Sequence, residues 1–229
     1  VKYQAVIFDL GGTLTYGLAW SVYVDTAKEV AAVIKAPADD FVRIWFELSD
    51  GLGTGVFPSF QDFIKNICRQ LTMEIPDKIV DLAAGMSITT AKRHLNMPRE
   101  GAIEVISFLK SSGYKTALIS DCAPDVPEVW QETPFAPYFD VTVFSCNVGM
   151  NKADPRIFQI ALEKLAVKPE QCMYIADGMR NELSNAKKLG MHAVQIIVPG
   201  EDYESPIREE WNGQTISSLK EVLDLLSEI

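Results

Sequence analysis

Four positions along the chain carry side chains suited to phosphoryl chemistry, each at or shortly after a short apolar or glycine-rich segment. Asp9 closes the run Val6-Ile7-Phe8 and opens the turn Leu10-Gly11-Gly12-Thr13-Leu14. A carboxylate is a weak nucleophile. It can still attack phosphorus and divide a hydrolysis into two easier steps through a covalent intermediate. Gly11 and Gly12 let backbone N–H groups approach a phosphate, and Thr13 adds a hydroxyl to the same turn. Ser120 ends a second run, 116–120. Its hydroxyl suits a phosphoryl oxygen, although a local bond to the backbone is the simpler explanation of a lone Ser. Lys152 precedes Asp154-Pro155, a pair that marks a helix start. A lysine there can neutralise charge on a transferring phosphoryl group; a single Lys is otherwise most simply a solvated one. Asp177 and Glu182 follow the run 173–176. Mg²⁺ takes one or two carboxylates plus waters and substrate oxygens. Glu182 would also complement a helix N-terminus.

These residues need elements to hold them together. The runs 5–10, 116–120, 141–145, 173–176 and 193–198 are mostly continuous apolar stretches. That is the pattern of strands buried on both faces of a parallel sheet. Helical periodicity fills the gaps at 99–111, 155–165, 182–189 and 217–227. Alternating strands and helices predict an α/β fold with a doubly wound parallel sheet. An acid at the C-terminal end of such a strand sits where open α/β folds place their chemistry.

Residues 17–96 read differently. Four helical patterns, 19–34, 38–48, 59–71 and 76–93, follow one another without a strand, and Gly51, Gly53 and Gly55 break the series. This predicts a helical domain inserted between the first strand and the rest of the sheet, with the core formed by 1–16 plus 97–229. The tail after Pro199-Gly200 reads as acidic loop up to the last helix.

Composition narrows the partners. The chain has 229 residues, 48% hydrophobic and 23% charged, enough for a sizeable core. A net charge of −10 argues against general binding to nucleic acid or anionic membranes, which needs clustered Lys and Arg. It leaves room for a small phosphate ligand. Cys68, Cys122, Cys146 and Cys172 are widely spaced and form no CxxC pair. They read as free thiols in a reducing compartment. No run approaches the roughly 20 apolar residues of a membrane span. The first apolar run is too short for a signal-peptide core and has no basic leader, so a cytoplasmic location is expected.

The order and contexts of the four sites resemble the haloacid dehalogenase-like (HAD) hydrolase superfamily over nearly the whole chain. Asp9-Leu10-Gly11-Gly12-Thr13-Leu14 looks like its motif I and Leu118-Ile119-Ser120 like motif II. Lys152-Ala153-Asp154-Pro155 is similar to motif III, and Tyr174-Ile175-Ala176-Asp177 through Glu182 to motif IV. The insertion resembles the family's C1-type cap. The resemblance implies a Rossmann-like core and a phosphatase of a small phosphorylated metabolite. Asp9 would be the nucleophile, acting with Ser120 and Lys152. Gly12, Thr13, Ser120, Asp121 and Lys152 would bind substrate. Asp9, the Gly11 carbonyl, Asp177 and Glu182 would hold Mg²⁺, with Glu182 a direct or indirect partner.

The chain departs from the family pattern at Gly11. Family phosphatases carry there an Asp that acts as general acid and then base. A backbone carbonyl survives that substitution; a proton donor does not. Such catalysis typically contributes ~10²–10⁴-fold. Acyl or aryl phosphates, whose leaving groups need little protonation, would be affected least. Asp121, Asp125 and Tyr16 are candidate replacement acids. Asp121 also stands where Asn is common, and Glu182 where Asp is frequent. Two other readings remain: a non-hydrolytic binder of a phosphorylated ligand or partner, and a 2-haloacid dehalogenase. The latter branch lacks the second Asp, needs no metal, and uses an early cap Arg. Arg43 is the available Arg, and a solvated helix face explains it too. Trp20, Tyr23, Trp45, Phe46 and Phe57 are either cap core or a substrate cage. Lys92, Arg93 and His94 lie near the cap's end.

Overall fold

The computed structural model describes residues 3–201 and 207–227. In chain order the elements are β1 (Ala5–Phe8), α1 (Trp20–Ile34), α2 (Ala38–Gly53), α3 (Phe60–Gln70), α4 (Asp77–Leu95) and α5 (Ala102–Ser111). There follow β2 (Lys115–Ser120), α6 (Asp125–Val129), β3 (Val141–Phe144), α7 (Ser145–Val148) and α8 (Arg156–Leu165). The chain continues through β4 (Cys172–Ala176), α9 (Glu182–Lys188), β5 (His192–Ile196), β6 (Gln214–Ile216) and α10 (Glu221–Ser227).

The six strands form one parallel sheet in the order β3-β2-β1-β4-β5-β6. This is the expected α/β, doubly wound, Rossmann-like core. Every residue of β1 is fully buried, and successive side chains enter opposite layers. Val6 and Phe8 pack with Val105, Ile106 and Leu109 of α5 and Val222 of α10. Ala5 and Ile7 pack with Ile157, Phe158 and Ala161 of α8 and Leu183 of α9. Strands covered on both faces need continuous apolar sequence, which is why they were legible. The chain runs from β1 outward through β2 to β3, then returns to β4 on the other flank. A crevice therefore opens at the β1–β4 boundary, beyond the strands' C-terminal ends.

Helices α1 to α4 share their own apolar cluster, including Val30, Phe41, Trp45, Phe63, Ile67 and Val80. α3 shows why the segment is helical. The Ser59 hydroxyl accepts from Asp62 N–H at 3.1 Å, and Phe60, Phe63, Ile64 and Ile67 repeat at helical spacing. The last turns of α4 differ, for Ala91 and Leu95 pack with the sheet's own core.

Two expectations are corrected. The helix foreseen for 38–48 runs on through Gly51 to Gly53, since tertiary packing overrides the low helix propensity of glycine. The break comes at Gly55, which lies at φ +73°. A Cβ there would stand 2.2 Å from the Cys146 carbonyl oxygen. The tail read as loop contains the edge strand β6, which pairs with β5 through Val194, Gln195 and Ile196. Its three residues carry too short a pattern to read; residues 202–206 of that tail lie outside the described residues. The four cysteines are unbridged, as expected. Among the described residues, no helix is long and apolar enough to cross a membrane.

Candidate active site

Asp9 leaves β1 at the sheet's centre, and its N–H bonds the Ile175 carbonyl of β4 at 3.0 Å. The chain then curls tightly. Leu14 N–H, Thr15 N–H and the Thr15 hydroxyl all donate to the Leu10 carbonyl. The Thr13 hydroxyl donates to Asp9 Oδ2 at 2.8 Å. Arg99, buried just before α5, locks this turn from behind. Its guanidinium donates to the Gly12 and Thr13 carbonyls at 2.7 and 2.9 Å and pairs with Glu201. Gly12 lies at φ +76°, and a Cβ on it would fall 2.4 Å from Asp177 Oδ2. Only glycine lets the turn pass so close to β4's end.

Lys152 reaches the same point from the loop before α8. Its Nζ lies 2.5 Å from Asp9 Oδ1 and 2.5 Å from Glu182 Oε2. The ammonium is buried, and the surrounding carboxylates hold its pKa well above the usual lysine value against the cost of burial. Asp121 Oδ1 accepts from the Lys152 N–H at 2.9 Å, and the Asn185 amide donates to the Lys152 carbonyl at 2.9 Å. These contacts fix the lysine's backbone. Ser120 is buried at the end of β2, on the neighbouring strand.

Glu182 begins α9 with both oxygens engaged. Oε1 accepts from Gly178 and Met179 N–H at 3.0 and 2.8 Å. Oε2 accepts from Lys152 and from the Tyr174 hydroxyl at 2.6 Å. It ties down the turn that leads into α9 and also holds the lysine. Asp177 is different. Its Oδ2 accepts from Arg208 Nη2 at 3.0 Å, while its Oδ1 is buried with no hydrogen-bond partner. Burial, with Asp9 and Glu182 nearby, pushes Asp177 up to about 8. Burial pushes Asp9 up to about 6, against the pull of Lys152.

Asp9, Asp177 and Glu182 offer oxygens all within 4.8 Å of one another. Among the described residues, Lys152 and Arg208 are the cations in direct contact with this group. Three buried carboxylates, with one Asp177 oxygen lacking a hydrogen-bond partner, suit a hard cation. The donor set therefore fits Mg²⁺.

The structure brings together Asp9, Thr13, Lys152, Asp177 and Glu182, with Gly12 against Asp177 and Asp121 behind Lys152. Gly11 is exposed, and a Cβ built on it would meet no atom within 4 Å. Other candidates are committed elsewhere. Arg43 pairs with Asp40 and Glu47 on its own helix. Lys92 pairs with Glu132, and His94 Nε2 donates to the Tyr16 carbonyl at 2.8 Å. Tyr16 itself lies over the Arg99 guanidinium. Asp125 accepts from Ser87 of α4 at 2.6 Å, and burial raises it to about 6.

Sequence reasoning missed Tyr174, Asn185, Arg99, Arg208 and Glu209. Glu209 accepts from Leu183 N–H, Ser184 N–H and the Ser184 hydroxyl, capping α9. No local pattern marks these residues. The roles of Arg99, Asn185, Arg208 and Glu209 come from contacts distant in sequence, and that of Tyr174 from Glu182 eight residues on.

The helical insertion is seated on the sheet edge. The Ser145 hydroxyl donates to the Gly53 carbonyl at 2.6 Å and accepts from Cys122 N–H. Arg180 pairs with Asp50 at 2.7 Å.

A family model described as haloacid dehalogenase-like hydrolase matches residues 3–190. Glyceraldehyde 3-phosphate phosphatase of Methanocaldococcus jannaschii is 25% identical over 99% of this chain and 98% of its own. (S)-2-haloacid dehalogenase 4A of Burkholderia cepacia is 26% identical over 98% of this chain and 95% of its own. In structure, a HAD family enzyme of Bacteroides thetaiotaomicron, complexed with magnesium and inorganic phosphate, matches with a TM-score of 0.65. The match covers 88% of this chain and 97% of that one at 19% identity, a likeness of fold.

Proposed function

The chain belongs to the haloacid dehalogenase-like hydrolases, and on that footing we propose a Mg²⁺-dependent phosphatase of a small phosphorylated metabolite. The observation that carries this reading is the Lys152–Asp9 contact beside the unpartnered Asp177 Oδ1. The full-length likeness to a phosphatase and the fold shared with a magnesium- and phosphate-binding enzyme support it.

Asp9 is the nucleophile. An oxygen of its carboxylate forms a bond to phosphorus as the ester P–O bond breaks, and the electron pair leaves with the alcohol oxygen. Water then attacks the aspartyl-phosphate and frees Asp9. Lys152 orients Asp9 and, with Ser120 and the Gly12–Thr13 backbone, meets the charge on the phosphoryl oxygens. Asp9, Asp177 and, as the family resemblance implies, the Gly11 carbonyl would hold Mg²⁺, which would neutralise negative charge on the phosphoryl group. Glu182, whose oxygens already serve four donors, acts through Lys152 and the turn at Gly178–Met179. Residues 17–96 act as a cap over a core of 1–16 plus 97–229.

The likeness to a haloacid dehalogenase favours a second reading, which the lack of a second Asp also suits and the retained Asp177 and Glu182 oppose. The commitment of Arg43 to Asp40 and Glu47 weighs against it. One panel separates them: phosphate release from glyceraldehyde 3-phosphate and p-nitrophenyl phosphate, and chloride release from 2-chloropropionate, each with Mg²⁺ or EDTA. Phosphate release that EDTA abolishes is expected. Chloride release in EDTA would establish the dehalogenase. Thermal stabilisation by phosphate esters without turnover would establish a non-hydrolytic binder.

A further inference from the structure

We propose that Asp121 is the general acid of the reaction and then its base, in place of the second Asp that family phosphatases carry at the position of Gly11. This rests on the phosphatase reading above and names its proton donor.

Strand register puts the two carboxyls on one side of one sheet edge. β1 and β2 are parallel neighbours with Phe8 opposite Leu118. Asp9 is therefore level with Ile119, and Asp121 stands two residues further along the adjacent strand's path. Neighbouring strands lie ~4.8 Å apart, and alternate residues share a face. Ile7, Ala117 and Ile119 all enter the layer formed with α8 and α9. Asp9 and Asp121 continue that alternation on the same side, where Lys152 arrives from the loop before α8. Lys152 joins them: its N–H donates to Asp121 Oδ1 at 2.9 Å, and its Nζ lies 2.5 Å from Asp9 Oδ1. The residues flanking Asp121 are held as well. Ser120 is opposite Phe144 of β3, and Cys122 N–H donates to the Ser145 hydroxyl at 2.9 Å.

The second support is the state of the carboxyl. Its Oδ2 is buried with no hydrogen-bond partner. A bare carboxylate oxygen out of water is costly, and a proton on it removes the charge. Burial raises Asp121 above the ordinary carboxylate value, against the pull of Lys152 and with a further push from Asp9. The other acids around the site are engaged. Glu182 serves four donors, and Asp177 faces Arg208 and the cation group. Asp125 is bonded to Ser87, and Tyr16 lies over Arg99. Two carboxyls whose surroundings separate their roles, one ionised nucleophile and one protonated donor, are a recurrent acid–base arrangement.

In the first step an Asp9 oxygen bonds to phosphorus and the ester P–O bond breaks. The Asp121 proton passes to the departing oxygen, which leaves as neutral alcohol. In the second step the Asp121 carboxylate takes a proton from water as the water oxygen bonds to phosphorus. The bond from phosphorus to Asp9 breaks, its electron pair returns to Asp9, and Asp121 is again protonated.

The experiment compares kcat/KM for acetyl, p-nitrophenyl, phenyl and glycerol phosphates, with Mg²⁺, in wild type and Asp121→Asn. Asparagine keeps an oxygen for the Lys152 N–H and has no acidic proton to give. Acetate and p-nitrophenolate depart readily without a proton; phenolate does so less readily and an alkoxide least. Asp121→Asn should lower glycerol phosphate relative to acetyl phosphate by about 10²–10⁴-fold, and phenyl relative to p-nitrophenyl phosphate in the same direction. An equal fall on all four, or no fall on glycerol phosphate, would overturn the proposal and leave the phosphatase reading standing. Wild type alone gives a check that needs no variant to fold: release from acetyl and p-nitrophenyl phosphates with none from glycerol phosphate would also overturn it. No phosphate release from any of the four in wild type would overturn the phosphatase reading itself.

Discussion

Replacing Asp125 by asparagine removes a carboxyl that the seated insertion holds out of water. Asp125 begins α6 behind the second strand's end, and the Ser87 hydroxyl of α4 donates to it at 2.6 Å. Burial outweighs that bond and raises the carboxyl from 3.8 to about 6. Between those values the folded protein binds the proton more tightly than the unfolded chain does. Unfolding free energy therefore falls as pH rises through this window, and above it the loss is complete. Two units at about 1.4 kcal/mol each give about 3 kcal/mol. Asparagine keeps an oxygen for Ser87 and has no charge to desolvate. Urea unfolding of both proteins at about pH 3.5 and about pH 7 measures the difference. The asparagine variant should gain about 3 kcal/mol on wild type between the two conditions. Equal stability at both would refute the reasoning. It would mean that Asp125 is solvated and that α4 is not seated on α6 in solution.

Two other substitutions act on the site itself. Gly12→Ala places a methyl where Asp177 Oδ2 stands, at a φ that alanine resists. Calorimetry should show weakened Mg²⁺ binding, and phosphate release should fall with it; wild-type affinity would remove the close approach from the account. Glu182→Gln sets an amide N–H₂ against Lys152 or the Gly178–Met179 turn and breaks a buried pair. It should lower stability by about 3 kcal/mol and turnover by about 10–100-fold. A variant matching wild type in urea and in kcat would show that Glu182 is not what holds the lysine.

The sheet was legible because its strands are buried on both faces and so must be apolar throughout, as Val6-Ile7-Phe8 and Met173-Tyr174-Ile175 are. Asp9, Lys152 and Asp177 were legible because each directly follows a strand or precedes a helix. The contacts between them were not. Lys152 meets Glu182 across 30 residues and Asp9 across 143. Arg208 reaches Asp177 from a tail whose sequence reads as loop. Arg99 looked like the first residue of a helix and is instead the clamp on the Gly12 turn. The aromatics of the insertion could not be sorted by spacing. Trp45 is buried and Trp20 exposed, though both lie in helices of similar pattern.

The central claim is that Asp9 attacks phosphorus. Asp9→Asn keeps the shape of the site, with an oxygen for Lys152 or Thr13, and removes the nucleophile. The decisive measurement is Mg²⁺-dependent phosphate release from p-nitrophenyl phosphate by the purified variant beside wild type. The account predicts turnover in wild type and none above background in Asp9→Asn. Undiminished release by the variant would contradict it.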